Sequence, residues 1–273
     1  MNFHTIPWSA RIGLLMIAIM LFLGVFGPWL APYTHAELVG DVWEPMFGEF
    51  LLGTDNLGRD MLSRLLYGAQ ITLFIAAAAT TISFTLGAVL GFLAAVKKGW
   101  LDQVLSRGND TLMALPTLIF ALVVLSVLPS NLFTLIMVMA VLDATRVYRI
   151  GRAIAVDIEA LDFIEMARLR GEKKIWIVFN EILPNALTPL IAEFGLRFSF
   201  AILFLSSLSF LGLGVQPPSA DWGALVKENK DGIAFGISAS LVPATAIAIL
   251  TISVNLVADW LLSKTSDLRG GEG

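Results

Sequence analysis

Glu193 and Arg197 stand four residues apart inside the otherwise apolar run Thr188 to Leu211. At helical spacing they share one face, with the acid N-terminal to the base, which is the favourable order. Charges at membrane depth are costly and mark pathways or gates, or else neutralise one another where helices pack or snorkel towards an interface. Both readings stay open here. Asn255 and Asp259 likewise share a face near the end of the last apolar run, where polar groups can bond across helices. Other chemistry finds little support. Gly53 to Gly58 reads G-x-x-x-x-G, but Arg59-Asp60 stands where a phosphate loop needs Lys-Ser/Thr. There is no cysteine, and His4 and His35 form no metal-ligand cluster. With no nucleophile constellation either, catalytic, cofactor and metal sites are not expected in this chain.

The elements that carry these residues are membrane spans. At 57% hydrophobic and 15% charged residues, with a mean hydropathy of +0.80 over 273 residues, the chain is too apolar for an ordinary soluble domain. A span needs about 20 apolar residues. The first falls in Ile12 to Ala36, with a cleaved signal peptide as the competing and weaker reading. The second falls at about Ile71 to Ala95, where Gly87-x-x-x-Gly91 admits close helix approach. Thr111 to Leu142 would make about 48 Å of single helix, so the Leu128-Pro129-Ser130-Asn131 break divides it into spans three and four. Thr188 to Leu211 is the fifth, and about Gly236 to Leu262, kinked or loosened near Pro243, is the sixth.

Between the first two spans, residues 37 to 64 are polar and acidic; Asp55 or Asn56 is expected to bond a local turn. A short amphipathic helix follows, with Leu62, Leu65 and Leu66 inward. Lys97, Lys98 and Arg107 mark one cytoplasmic turn, and Asp143, Arg146, Arg149 and Arg152 the return to the same side. On this layout 13 of the 18 Lys and Arg residues lie inside, four outside (Arg59, Arg64, Lys227, Lys230), and Arg197 within the membrane. The positive-inside rule therefore puts both termini in the cytoplasm.

The longest hydrophilic interruption of the second half is DFIEMARLRGEKKIWIVFNEILPN, Asp162 to Asn185. Ile158, Leu161, Ile164 and Leu169 give a rough apolar stripe for one short helix, and Ile175, Val178, Phe179 and Ile182 a cleaner one for a second. Gly171 between them suits a positive φ that ends the first helix, with Arg168 and Arg170 in its last turn. Pro184 is expected to close the second. Spacing alone leaves two possibilities, a hairpin lying on the membrane surface or a docking element for a partner.

E-M-A-x-x-x-G followed by L-P resembles the "EAA" loop of ATP-binding-cassette importer permeases, matched at Glu165, Ala167, Gly171, Leu183 and Pro184, with Met166 in place of the usual second alanine. Phe50 to Gly68 and the sixteen residues Leu208 to Gly223 resemble the C-type permease subunit of dipeptide, oligopeptide and nickel importers. The acid that many relatives carry at the position of Leu205 is absent. The resemblance implies an all-α, polytopic protein with six transmembrane helices in the type I importer permease (MetI-like) fold. It divides into residues 1–69, an N-terminal span with an extracytoplasmic segment, and residues 70–273, a five-helix core with a coupling loop at about 146–187. It implies that Glu165, Met166, Ala167, Leu169, Gly171 and Pro184 couple the chain to a cytoplasmic ATPase. The implied partners are a homologous B-type permease, two ATPase subunits that bind ATP and Mg, an extracytoplasmic binding protein and the lipid bilayer of the bacterial inner membrane, with no nucleic acid. Peptides or similar small solutes would move by alternating access. The rival readings are a stand-alone secondary transporter or channel using Glu193, Arg197 and Asp259, and an intramembrane enzyme.

Overall fold

The computed structural model describes residues 7–270, with side chains to residue 263. His4 and both chain ends fall outside the described residues. Among the described residues the regular secondary structure is helical, apart from two isolated β-bridges in the segment before α2. Ten α-helices run in order: α1 (Trp8–Leu30), α2 (Met61–Lys97), α3 (Trp100–Met113), α4 (Thr117–Val127), α5 (Leu132–Glu159), α6 (Asp162–Leu169), α7 (Lys174–Ile177), α8 (Leu183–Leu211), α9 (Trp222–Asn229) and α10 (Leu241–Gly270). A π-helical turn, Val178–Ile182, joins α7 to α8. Four stretches are long and apolar enough to cross a membrane: α1, α2, Lys174–Leu211 and α10 as far as Ser263. The pair α3 and α4, bent by 86°, makes a fifth if it is one broken span. The 28-residue α5 is long enough, but from its twelfth residue on it carries Asp143, Arg146, Arg149, Arg152, Asp157 and Glu159.

Helix boundaries depart from the expected ones for local reasons. α1 begins before Arg11, whose guanidinium lies 5.0 Å from the Trp8 ring centre. It stops at Leu30 because Ala31, preceding Pro32, is held extended. Its buried residues are Ala10, Gly13, Gly24 and Gly27, so the large side chains face outward, as suits a helix in lipid. The short helix expected at Leu62 to Leu66 and the second span are one element. Asp60 caps it by accepting from the Ser63 amide at 2.8 Å, and α2 then runs unbroken past residues 69 and 70 for about 55 Å. The Leu128 to Asn131 break is present, and Asn131 caps α5 by accepting from the Thr134 amide. Pro243 does not kink α10, because it sits in the first helical turn, where no intrahelical partner is lost.

Two buried apolar clusters organise the chain. The larger joins α2, α4, α5, α8, α9 and α10. A second joins the C-terminal ends of α2 and α5 to α6, α7 and the start of α8. α2 and α5 meet backbone to backbone: a Cβ on Gly87 would fall 2.7 Å from the Ala144 carbonyl oxygen, and one on Gly91 2.6 Å from that of Tyr148.

Candidate functional site

The loop after α5 is built by two changes of helical phase. Glu159 ends α5, and the chain turns through Ala160 and the extended Leu161 before α6. That reset breaks the expected stripe, so Ile158 and Ile164 are buried while Leu161 and Leu169 are exposed. Ala167 joins Ile164 in the seat. Gly171 has φ +82°, and the Gly171 and Glu172 amides donate to the carbonyls of Arg168 and Ala167, at 2.9 and 3.2 Å. This is the glycine-terminated helix end that spacing suggested.

The second phase change is the π turn. Ile177, Val178 and Ile182 are buried, while Ile175 and Phe179 point out. The expected α-helical face of Ile175, Val178, Phe179 and Ile182 is therefore split, because a π turn advances by five residues where an α turn advances by four. Pro184 does not close the helix. It lies in the first turn of α8, where the register changes from π to α, and the chain runs through it. What the loop presents outward is Met166, Leu169, Ile175 and Phe179, with Leu169 83% exposed. Exposed in the same loop are the charges Glu165, Arg170, Lys173 and Lys174, while the Arg168 guanidinium turns back to Glu159. Exposed large apolar side chains interspersed with charged ones are a composition that suits an interface.

The intramembrane charges form a wider group than the expected pair. Arg197 Nε meets Glu193 Oε1 at 2.8 Å, as an ion pair off the hydrogen-bond line. Arg197 Nη1 also donates to Asp143 Oδ1 on α5 at 3.4 Å. Ser83 of α2 donates to the other Asp143 oxygen at 3.1 Å, and Arg146 lies 3.9 Å from Asp143. Arg146 donates to Thr117 of α4 at 3.2 Å, and its guanidinium lies 4.4 Å from the Phe200 ring centre. Two acids and two bases thus join α2, α4, α5 and α8 with no net charge. Asp143 and Arg146, expected to lead the chain into the cytoplasm, are members of this network, with Asp143 buried. Their i, i+3 spacing inside a helical run was the available signal. Asn255 is half-buried and Asp259 exposed on α10, and among the described residues neither bonds to the network.

In the segment between α1 and α2, Asp55 accepts from the Leu57 and Arg59 amides at 2.8 and 3.0 Å, which is the expected turn. Its carboxylate also binds Arg59 and Arg64, both at 2.6 Å, and both guanidiniums reach Glu228 of α9. Burial pushes the Asp55 carboxyl up, but the two amides and the Arg64 guanidinium outweigh it and hold the group below its ordinary value. The Gly53 to Gly58 segment therefore ties the stretch between α1 and α2 to α9. In the Leu208 to Gly223 block, Ser209 donates to Asp221, whose other oxygen caps α9 through the Ala224 amide. Buried Trp222 donates from its indole to the Leu65 carbonyl at 3.0 Å.

Residues 87–264 match the family model of the binding-protein-dependent transport system inner membrane component. A putative peptide transport system permease protein of Brucella suis is 37% identical over 254 residues, covering 93% of this chain and 86% of its own. A di/tripeptide transport system permease protein of Pseudomonas aeruginosa is 35% identical over 256 residues, covering 91% and 84%. A glutathione transport system permease protein of Escherichia coli is 34% identical over 250 residues, covering 90% and 82%. With a helical architecture of this kind and a family match over most of its length, the chain belongs to the inner membrane permease components of binding-protein-dependent, ATP-binding-cassette importers.

Proposed function

We propose that this chain is the C-type permease subunit of an ATP-driven importer of peptides or similar small solutes. It pairs with a homologous B-type permease, takes up solute from an extracytoplasmic binding protein, and is driven by two cytoplasmic ATPase subunits that bind ATP and Mg. The peptide class rests on the names of its relatives, which handle peptides, di- and tripeptides and glutathione. The observation that carries the coupling role is the set of exposed apolar side chains Met166, Leu169, Ile175 and Phe179 among the exposed charges of one short loop. A solitary transporter would leave such a face in water. Reorientation of the helices follows from movement of this loop, in an alternating-access cycle.

The loop faces the cytoplasm, as do both termini, and the excess of Lys and Arg on that side survives the move of Arg146 into the membrane network. The secondary-transporter reading finds less support, because Glu193 is already engaged with Arg197 and Asp259 stands apart from them. The test is Leu169→Glu in the reconstituted complex. Leu169 touches little of its own chain, so insertion should be normal while ATPase binding and uptake fall together. Normal ATPase binding and uptake would refute the coupling face. Substrate movement by this chain alone would refute the importer reading.

A further inference from the structure

Glu159 is an unusual residue for its place. It is the last residue of α5, and its side chain is only 3% exposed. Burial disfavours a carboxylate, and so does the negative end of the helix dipole. Two cations from two other elements answer it. Arg168 of α6 donates from Nη2 to Oε1, and Lys98, the C-cap of α2, places Nζ 3.2 Å from Oε2. Lys98 does so from a backbone with φ +51°, a conformation that a residue with a Cβ adopts only under constraint. One buried carboxylate thus joins the ends of α2 and α5 to the helix whose far side is the proposed docking face. Beneath it lies the second apolar cluster, with Val96, Ala155, Ile164 and Ala167 among its members.

We propose that Glu159 is a positioning residue that clamps α6 to the α2–α5 pair, so that displacement of the loop by the ATPases enters the membrane through those two helices. The proposal rests on the coupling reading of the loop. Gly87 and Gly91 already fuse α2 and α5 along their backbones, which makes the pair a stiff lever. The same α5 carries Asp143, which meets Arg197 of α8 in the charge network. The clamp therefore connects the docking face to the ion pairs by way of rigid helix.

The experiment uses the chain in complex with its permease, ATPase and binding-protein partners, reconstituted in vesicles. Glu159→Gln keeps the shape and can still accept hydrogen bonds, but it loses the charge. The complex should assemble and hydrolyse ATP at its basal rate, while stimulation by loaded binding protein and uptake are both lost. In a second arm, the cysteine-free chain receives Glu159→Cys with Arg168→Cys. Joining the two thiols with a cleavable bifunctional reagent should restore stimulation, and cleaving the reagent should remove it again. A role in folding alone would not respond to that cycle in one sample. Normal stimulation in Glu159→Gln would overturn the proposal and leave the apolar seat as the sole link. Loss of ATPase binding in that variant would overturn it too, since Glu159 would then belong to the docking surface. If Glu159→Gln fails to accumulate, the cysteine pair decides, and indifference to bridging overturns the proposal. Leu169→Glu separates this outcome from failure of the underlying reading: if it binds ATPases normally, the docking face itself is wrong, whatever Glu159 does.

Discussion

Replacing Gly171 isolates the backbone contribution to coupling. The residue has φ +82°, and a Cβ added there would meet nothing of its own chain within 4 Å. The cost of Gly171→Ala is then conformational, about 1–2 kcal/mol for a left-handed position. A penalty of that size shifts the balance between the capped and uncapped loop by a factor of about 5–30. Apparent affinity falls by the fraction of molecules that remain competent, so ATPase binding should weaken by up to about 30-fold if the competent state becomes the minor one. Gly171→Asn, which tolerates left-handed backbone, should lose least. Because the site is open on this chain, Gly171→Leu should match Gly171→Ala in stability. Any further loss of ATPase affinity in the leucine variant would measure how closely the partner's surface approaches. The assay is ATPase binding to the permease pair in nanodiscs, with substrate-stimulated hydrolysis and uptake measured on the same samples. Equal, near-native values for alanine, leucine and asparagine would show that the αL turn does not set the angle of α6, and the reasoning would fall.

The charge network predicts unequal single substitutions. Arg197→Gln leaves Glu193 and Asp143 facing each other with only Arg146 nearby, so it should impair assembly or transport more than Glu193→Gln does. The double substitution Glu193→Gln with Arg197→Gln leaves Asp143 paired with Arg146 and should recover part of the loss; additive defects would argue for separate roles along the pathway. Between α1 and α2, the Asp55 carboxyl is held below its ordinary value, so the stability it contributes is complete above the unfolded value of about 3.9 and is lost as pH falls through the folded value. Limited proteolysis of the segment between α1 and α2 should show protection that is flat near neutrality and falls in acid. Asp55→Asn strands Arg59 and Arg64 on Glu228, costs about 3–5 kcal/mol, and should expose the segment at neutral pH. An unchanged cleavage rate in the variant would remove Asp55 from that role.

Composition and periodicity decide what this chain is in outline. Long uncharged runs can lie in a membrane only as helices, because backbone groups there must bond within their own segment. The Leu128 to Asn131 break, the Gly171 helix end, the Asp55 turn and the close approach at Gly87 and Gly91 are likewise local matters of backbone geometry and residue type, and the structure agrees with each. Tertiary packing decided the rest. Whether Ile175 or Ile177 is buried depends on a π turn that no propensity announces, and it exists where the second apolar cluster must be filled across the register change at Pro184. Asp143 looked like a residue leaving the membrane because the charges after it are close in sequence. Its partners Ser83 and Arg197 lie 60 and 54 positions away, and only the fold sets them beside it. Glu159 is buried and paired only because α2 delivers Lys98 and α6 delivers Arg168 to one point.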